Sequence, residues 1–357
     1  MTDQPSRELL KRLTLAAGAP GAEDEVRAIV HETLAGVAEL SHDRLGSVIA
    51  EQRGGADAPR IVLDAHMDEV AFMVQSVTPE GDVLFVALGG WWGHVLLAQR
   101  VTICTDRGKV PGVVASTPPH FLSPEARKLV LEIDAMFIDV GATSADEVEA
   151  MGIRPGDSIV PACEFLEMAK PGLLSSKAFD DRAGCGVMIE SMIALAKTDH
   201  PNTVVGVAAA QEEVGCRGAG TAAEIARPDV GIVLEGTPAD DIPGFKTRQA
   251  ILGRGPQIRF FDPTAISNRR LVRLVEKTAD EEEIEVQVAV RRSGGTDAKS
   301  IHLHRSGVPT VVIGVPARYI HTHVSLIQWE DYVAARDLVV ALVRRLDAAA
   351  VAALTTY

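Results

Sequence analysis

Two adjacent glutamates, Glu212 and Glu213, close the apolar run Val204-Val205-Gly206-Val207-Ala208-Ala209-Ala210-Gln211. Such a run reads as a buried strand, and two carboxylates at its end need a metal, a counter-ion or solvent to balance their charge. Side by side they repel, which raises one pKa unless cations separate their roles. A metal ligand beside a general base does this: one glutamate binds, and the other takes a proton from an activated water. Further donors stand at His66-Met67-Asp68, Asp180-Asp181, Glu235 and His321, each beside an apolar run or at the start of a helix. Five or six oxygen and nitrogen donors placed this way suggest a two-metal hydrolytic site.

Each donor also has a plainer reading. His66 follows the strand Arg60 to Ala65, at the carboxyl end where open α/β sheets bind ligands. Asp68 can accept a hydrogen bond from its second ring nitrogen and fix the tautomer; the plain alternative is a loop histidine beside a solvated acid. Asp180-Asp181 opens a helix, where an N-cap and a first-turn acid would suffice, or where one Asp could bridge two cations. Glu235 ends the strand Val230 to Leu234, and His321 follows the run Val311 to Ile320, with His323 as its rival. His302 and His304 are two apart on a helical segment and do not face one another. His31, His42, His94, His120 and His200 read as surface or packing residues. Singly each candidate can be explained away. Jointly, four separate strand ends or helix starts present metal-competent residues at one edge of a parallel sheet.

The elements that must hold these donors follow from periodicity. Residues 6–16 and 24–38 read as amphipathic helices, the second lined by Val26, Ile29, Val30 and Leu34. Strands are expected at 47–51 and 60–65, then a helical or strand-like stretch from Val70. From 76 to 162, short apolar runs alternate with Gly and Pro turns, which reads as a small β-rich insert, a barrel or sandwich. Beyond 172 a βα rhythm appears. Helices are expected at 181–197, 218–226, 267–280, 296–305 and 329–352, and strands at 203–210, 229–234, 284–290 and 308–314. This predicts an α/β fold with a mostly parallel sheet covered by helices on both faces. Residues 1–75 and 163–357 would form the catalytic domain, with 76–162 inserted.

The 357 residues suffice for two domains, and 46% hydrophobic with 24% charged residues is a normal globular balance. The net charge of −14 disfavours nucleic acid or an anionic membrane as partner. No apolar run reaches membrane-spanning length, and the first residues lack a basic segment followed by an apolar one. Cys104, Cys163, Cys185 and Cys216 form no C-x-x-C and read as buried free thiols, so a cytoplasmic protein is expected.

Five segments resemble the tetrahedral-aminopeptidase, or glutamyl aminopeptidase-like, metallopeptidases: His66-Met-Asp-Glu-Val-Ala-Phe-Met-Val74, Ala178-Phe-Asp-Asp-Arg182, Glu212-Glu-Val-Gly-Cys-Arg-Gly-Ala219, Gly294-Gly-Thr-Asp-Ala298 and Arg318-Tyr-Ile-His321. Pro118-Pro-His-Phe-Leu-Ser-Pro124 and Gly141 with Met151-Gly-Ile-Arg-Pro-Gly-Asp157 resemble its inserted domain. The resemblance implies a zinc-peptidase-like fold and an aminopeptidase acting on short peptides. His66, Asp180 and Glu235 would bind one divalent ion and Asp180, Glu213 and His321 the other, zinc or cobalt, with manganese also suited. Glu212 would be the general base, Asp68 would orient His66, and the Asp180-Asp181 peptide would be cis. The insert would mediate homo-oligomer contacts, dimers assembling into a dodecamer. One residue departs from the family pattern, which carries Asp where this chain has Glu235. In related two-metal peptidases a glutamate there accompanies carboxypeptidase or N-acyl amino acid deacylase activity.

Two other classes fit parts of the chain. Gly218-Ala-Gly220-Thr-Ala-Ala223 has the spacing of a dinucleotide fingerprint, with Glu235 as a ribose-binding acid of an NAD-dependent oxidoreductase. The residues from Glu212 to Arg217 intervene where a true fingerprint turns tightly out of its strand. Glycoside hydrolysis by paired carboxylates explains neither histidine.

Overall fold

The computed structural model describes residues 4–356. Its strands are β1 Glu39–His42, β2 Val48–Arg53, β3 Arg60–His66, β4 Ala71–Val77, β5 Val83–Leu88, β6 Arg100–Thr105, β7 Gly108–Ala115, β8 Phe137–Asp139, β9 Ser158–Pro161, β10 Leu166–Glu167, β11 Leu173–Ser176, β12 Thr203–Ala209, β13 Val230–Pro238, β14 Gln257–Asp262, β15 Ala265–Ile266, β16 Gln287–Val290, β17 Thr310–Arg318 and β18 Ser325–Gln328. Its α-helices are α1 Gln4–Leu15, α2 Asp24–Leu34, α3 Ala145–Ala150, α4 Phe179–Leu195, α5 Arg217–Ala226, α6 Arg269–Glu281, α7 Ala298–Ile301, α8 Trp329–Arg345 and α9 Ala348–Leu354.

Twelve strands form one sheet, in the order β1-β2-β12-β3-β13-β17-β18-β11-β10, with β14 pairing β17 and carrying β15 and β16. The four central strands β12-β3-β13-β17 are parallel. Their near-continuous apolar sequences are buried on both faces, as parallel strands must be. Around this core the flanking strands pair antiparallel, except for the parallel pair β14–β16, so the sheet is mixed rather than mostly parallel. The flanks are short and several are exposed, which left them little hydrophobic signature. Helices α1, α2, α4 and α8 pack on one face, and α5 with α7 on the other. Strands β4-β5-β8-β7-β6-β9 close a separate barrel around Phe72, Phe85, Ile103 and Ile138. The ambiguous stretch after Val70 is thus a barrel strand. Among the described residues, no helix is long and apolar enough to cross a membrane.

Several boundaries shift for local reasons. Helix α2 stops at Leu34 because Gly36 turns away at φ +77. The expected terminal helix divides at Leu346, and Asp347 caps α9 by accepting from the Ala350 N–H. The expected helix at 296–305 contracts to the single turn α7. Strand β13 runs on past Leu234 to Pro238, so Glu235 lies within a strand rather than at its end. Val233 pairs with Asp64 in β3, which puts Glu235 level with His66.

Arg182 ties α4 to the rest of the domain. The fully buried guanidinium donates to the carbonyls of Met67 and Leu13 and lies 3.3 Å from Glu69, which Lys177 also contacts. This network fixes the chain on either side of the donor segments at 66–68 and 178–182.

Candidate metal centre

The carboxyl ends of the parallel strands converge. His66 ends β3, Glu212 and Glu213 follow β12, Glu235 lies in β13, and His321 follows β17. Asp180 arrives from the opposite face at the start of α4, where its peptide bond to Asp181 is cis. Five non-glycine residues with positive φ flank these positions: Ala178, Gln211, Cys216, Tyr319 and His321 itself. Backbone held in that region clusters where surrounding structure fixes a functional geometry.

Asp180 is central. Its Oδ1 lies 3.3 Å from His66 Nε2 and its Oδ2 lies 3.4 Å from His321 Nε2. His321 Nε2 is 3.5 Å from Glu213 Oε1, and His66 Nε2 is 4.0 Å from Glu235 Oε2 and from Glu212 Oε2. Two ligands on a tetrahedral ion with bonds of about 2.0 Å stand roughly 3.3 Å apart, so these separations suit shared cations. Asp180 Oδ1 and Glu213 Oε1 are buried and accept no hydrogen bond. A buried carboxylate oxygen without a donor calls for a cation or a proton, so the donor set fits divalent metal. Asp181 differs: its carboxylate accepts from the N–H groups of His66 at 3.1 Å and Gly184 at 2.9 Å. Asp181 therefore braces the site while Asp180 faces into it.

The expected contact between the Asp68 carboxylate and His66 is present at 3.5 Å, beside a nearer one to the Asp68 backbone. His66 Nδ1 lies 3.0 Å from the Asp68 carbonyl oxygen and 3.5 Å from its Oδ1. The carboxylate is also engaged elsewhere, accepting the Glu212 and Glu213 N–H groups at 2.9 and 3.0 Å. Asp68 thus orients His66 through its backbone and both glutamates through its side chain. Glu212 Oε1 in turn accepts from the Cys216 thiol at 3.0 Å.

Residues that sequence reasoning passed over complete the surroundings. The Gly90 carbonyl, in the loop after β5, lies 2.8 Å from His321 Nδ1. A Cβ on the neighbouring Gly89 would stand 2.8 Å from Val70 and 3.1 Å from Glu213, so this loop can cover the site only as glycine. Asp64 and Asp297 face each other in the interior with no donor from elsewhere. Burial pushes Asp64 up to about 7 and raises Asp297 well above the carboxylate range. The signal for Asp64 was a lone acid inside the apolar strand Ile61 to Ala65.

The G-x-G segment has a packing role. A Cβ at Gly218 would stand 2.3 Å from the Ala210 carbonyl oxygen, so this glycine lets α5 lie against the end of β12.

The profile of the M42 glutamyl aminopeptidase family matches residues 46–338. The chain belongs to this family. Glutamyl aminopeptidase of Lactococcus lactis is 35% identical over 98% of both chains. A TET aminopeptidase from a marine sediment archaeon of the Thaumarchaeota is 44% identical, with a TM-score of 0.96 over 98% of this chain and 100% of that one. The TET1 peptidase of Pyrococcus horikoshii, described as assembling into a tetrahedron or a large octahedral shell, is 30% identical, with a TM-score of 0.85 over 96% and 100%. This M42 member is accordingly a metal-dependent peptidase of the aminopeptidase kind.

Within the M42 chain the two rival histidines separate cleanly. His321 faces Asp180 and Glu213, whereas His323 is buried against Trp91, ring centroids 5.4 Å apart, with both nitrogens unpartnered. Burial lowers its pKa to about 4 and keeps it neutral. His321→Ala is expected to lower the metal bound per chain, and His323→Ala to leave it unchanged. Metal analysis of the two purified variants checks this, and the reverse pattern would move the ligand to His323.

Burial and neighbouring charge displace several titrations in the M42 site. Burial raises Glu213 from 4.5 to about 8 and raises Glu235 well above its ordinary value. For His321 burial works against the charge, but Asp180 and Glu213 outweigh it and raise the ring from 6.5 to about 9. For Asp180 burial favours the neutral acid, yet both imidazoles hold the carboxyl below its usual range. Glu213 and His321 therefore keep protons in the folded chain that the unfolded chain has released. The metal-free protein should lose stability as pH rises from about 5 to 9, because the folded form binds more protons across that window. Bound cations replace those protons and should flatten the slope. Thermal denaturation of chelated and metal-loaded protein across that range tests both statements.

Proposed function

We propose that the chain is a two-metal aminopeptidase that removes N-terminal residues from short peptides, with Glu212 as general base. The observation that carries this is the Asp180 carboxylate, which turns one oxygen to His66 and the other to His321. His66, Asp180 and Glu235 would hold one ion, and Asp180, Glu213 and His321 the other, with Asp180 between them. When bound, two divalent cations supply Lewis acidity for the scissile carbonyl and lower the pKa of the attacking water. Zinc and cobalt suit this mixture of imidazole and carboxylate, as does manganese.

The chain's own groups do the rest. Glu212 takes the water proton and returns it to the leaving amine, its carboxylate held by the Asp68 contact at its backbone and the Cys216 thiol at its side chain. Burial raises the Glu212 pKa, which makes it a better proton acceptor once ionised. Acidic groups crowd the site, so the ammonium of a free peptide N-terminus is favoured there over a carboxylate. Glu235 supports a second reading. It is one methylene longer than the family's aspartate, and that choice accompanies carboxypeptidase or deacylase chemistry in related families.

The segment 76–162, which holds most of the barrel, is proposed as the oligomerisation domain, with 1–75 and 163–357 catalytic. Dimers assembling into a dodecamer are supported by likeness to assemblies such as the Pyrococcus horikoshii peptidase. Titrating chelated protein with zinc or cobalt, followed by calorimetry and metal analysis, tests the central point. Two ions per chain are expected; saturation at one would remove the two-metal mechanism.

A further inference from the structure

The strands that end at the metal centre begin at a second concavity. Where β3, β13 and β17 start, an open cleft of about 1230 Å³ is lined by Arg60, Arg227, Arg269, Arg270 and Arg305. Arg60 and His66 are the first and last residues of β3, a span of about 20 Å at ~3.3 Å per residue. The cleft is thus distinct from the peptidase site. Its only acidic lining residue, Asp229, accepts from the Arg60 N–H. Five guanidiniums around one acid are conspicuous in a chain of net charge −14.

Part of this charge is met within the chain, since Arg60 pairs with Glu51 at 2.9 Å, Arg305 lies 3.6 Å from Glu224 and Arg270 donates to the Ala353 carbonyl, but the rest lacks a counterpart. Among the described residues, the Arg227 and Arg269 side chains have no hydrogen bond or ion pair. Helix α6 opens into the cleft with Arg269 and Arg270 and has no acid in its first turn. Asn268 caps this terminus by accepting from the Arg270 and Leu271 N–H groups, yet a helix N-terminus still penalises nearby cations, a cost that an anion beside Arg269 would offset. His304, 9% exposed, also lines the cleft, and its Nε2 has no hydrogen-bond partner. Its other nitrogen, Nδ1, lies 3.7 Å from Glu224 Oε1, and a buried ring nitrogen without a partner is costly.

We propose that this cleft binds a small polyanion, a molecule carrying at least two phosphate or carboxylate groups. Arg227 follows α5, Arg269 opens α6 and Arg305 precedes β17, so the cations reach the cleft from separate walls. A ligand with two anionic groups can meet cations on more than one wall. The volume exceeds that of most small-molecule pockets, which run to about 1,000 Å³, so the ligand would fill only part of the open cleft.

The test is calorimetry on the metal-loaded assembly at fixed ionic strength. Fructose 1,6-bisphosphate serves as the phosphate probe and succinate as the carboxylate probe. Saturable binding of one of them, one per chain, is expected, and the probe that binds identifies the group recognised. Arg227→Gln and Arg269→Gln should each weaken binding by about tenfold or more, as loss of a charge-assisted hydrogen bond does. Peptide hydrolysis should be unchanged in both, which also shows that the variants fold. The proposal is overturned if neither probe saturates, or if the double variant binds as tightly as the parent, since the anion would then lie at the metal centre. It is also overturned if the variants change subunit assembly on size exclusion while leaving probe affinity intact, since the cleft would then be an interface between copies.

Discussion

Glu212→Gln is expected to bind two metal ions per chain and to lose turnover by about 10²–10⁴-fold, the range for removing a general base. The substitution preserves shape and the backbone bond to Asp68 at 2.9 Å. It removes only the capacity to accept a proton. Glu212 is not among the donors grouped around Asp180 and His321, so metal content should not fall. The loss should appear in kcat with little change in KM, because the missing interaction forms only as the proton moves. Steady-state kinetics with parallel metal analysis reads both. Retained turnover would pass the role of base to another group; turnover and metal lost together would make Glu212 a ligand.

Asp180→Ala should have the wider effect. Asp180 is the one carboxylate that faces both histidines, so its removal is expected to empty both metal positions and take hydrolysis to background. Loss of one ion only, as expected for His321→Ala, would mean that the two ions are held independently. Asp181→Asn supplies the contrast. Asp181 accepts two backbone N–H groups, so this change should lower thermal stability first and metal content second.

Much of this site was legible because its donors sit at the ends of strongly apolar runs. The run from Val204 to Ala210 and the strand ending at His66 are buried along their length, and the carboxyl edge of a parallel sheet collects whatever follows them. Other features depend on packing that no local pattern encodes. Glu235 reaches the site from inside β13 because the register sets it level with His66, not because a strand ends there. The Gly89-Gly90 loop matters only because it folds back over Glu213 and His321. The choice between His321 and His323 turns on which ring Trp91 covers. The sheet's antiparallel flanks were obscure for a different reason. Strands such as Glu39–His42 are exposed and polar, so neither periodicity nor composition marks them.

The most direct test is hydrolysis of one short peptide in three forms, free, N-acetylated and C-terminally amidated, by metal-reconstituted protein with the chelated protein as blank. The two-metal aminopeptidase account predicts cleavage of the free and amidated peptides, loss on N-acetylation, and no activity in the blank. Loss on amidation, or preference for the acetylated peptide, would contradict it and make Glu235 the residue that sets a carboxypeptidase or deacylase.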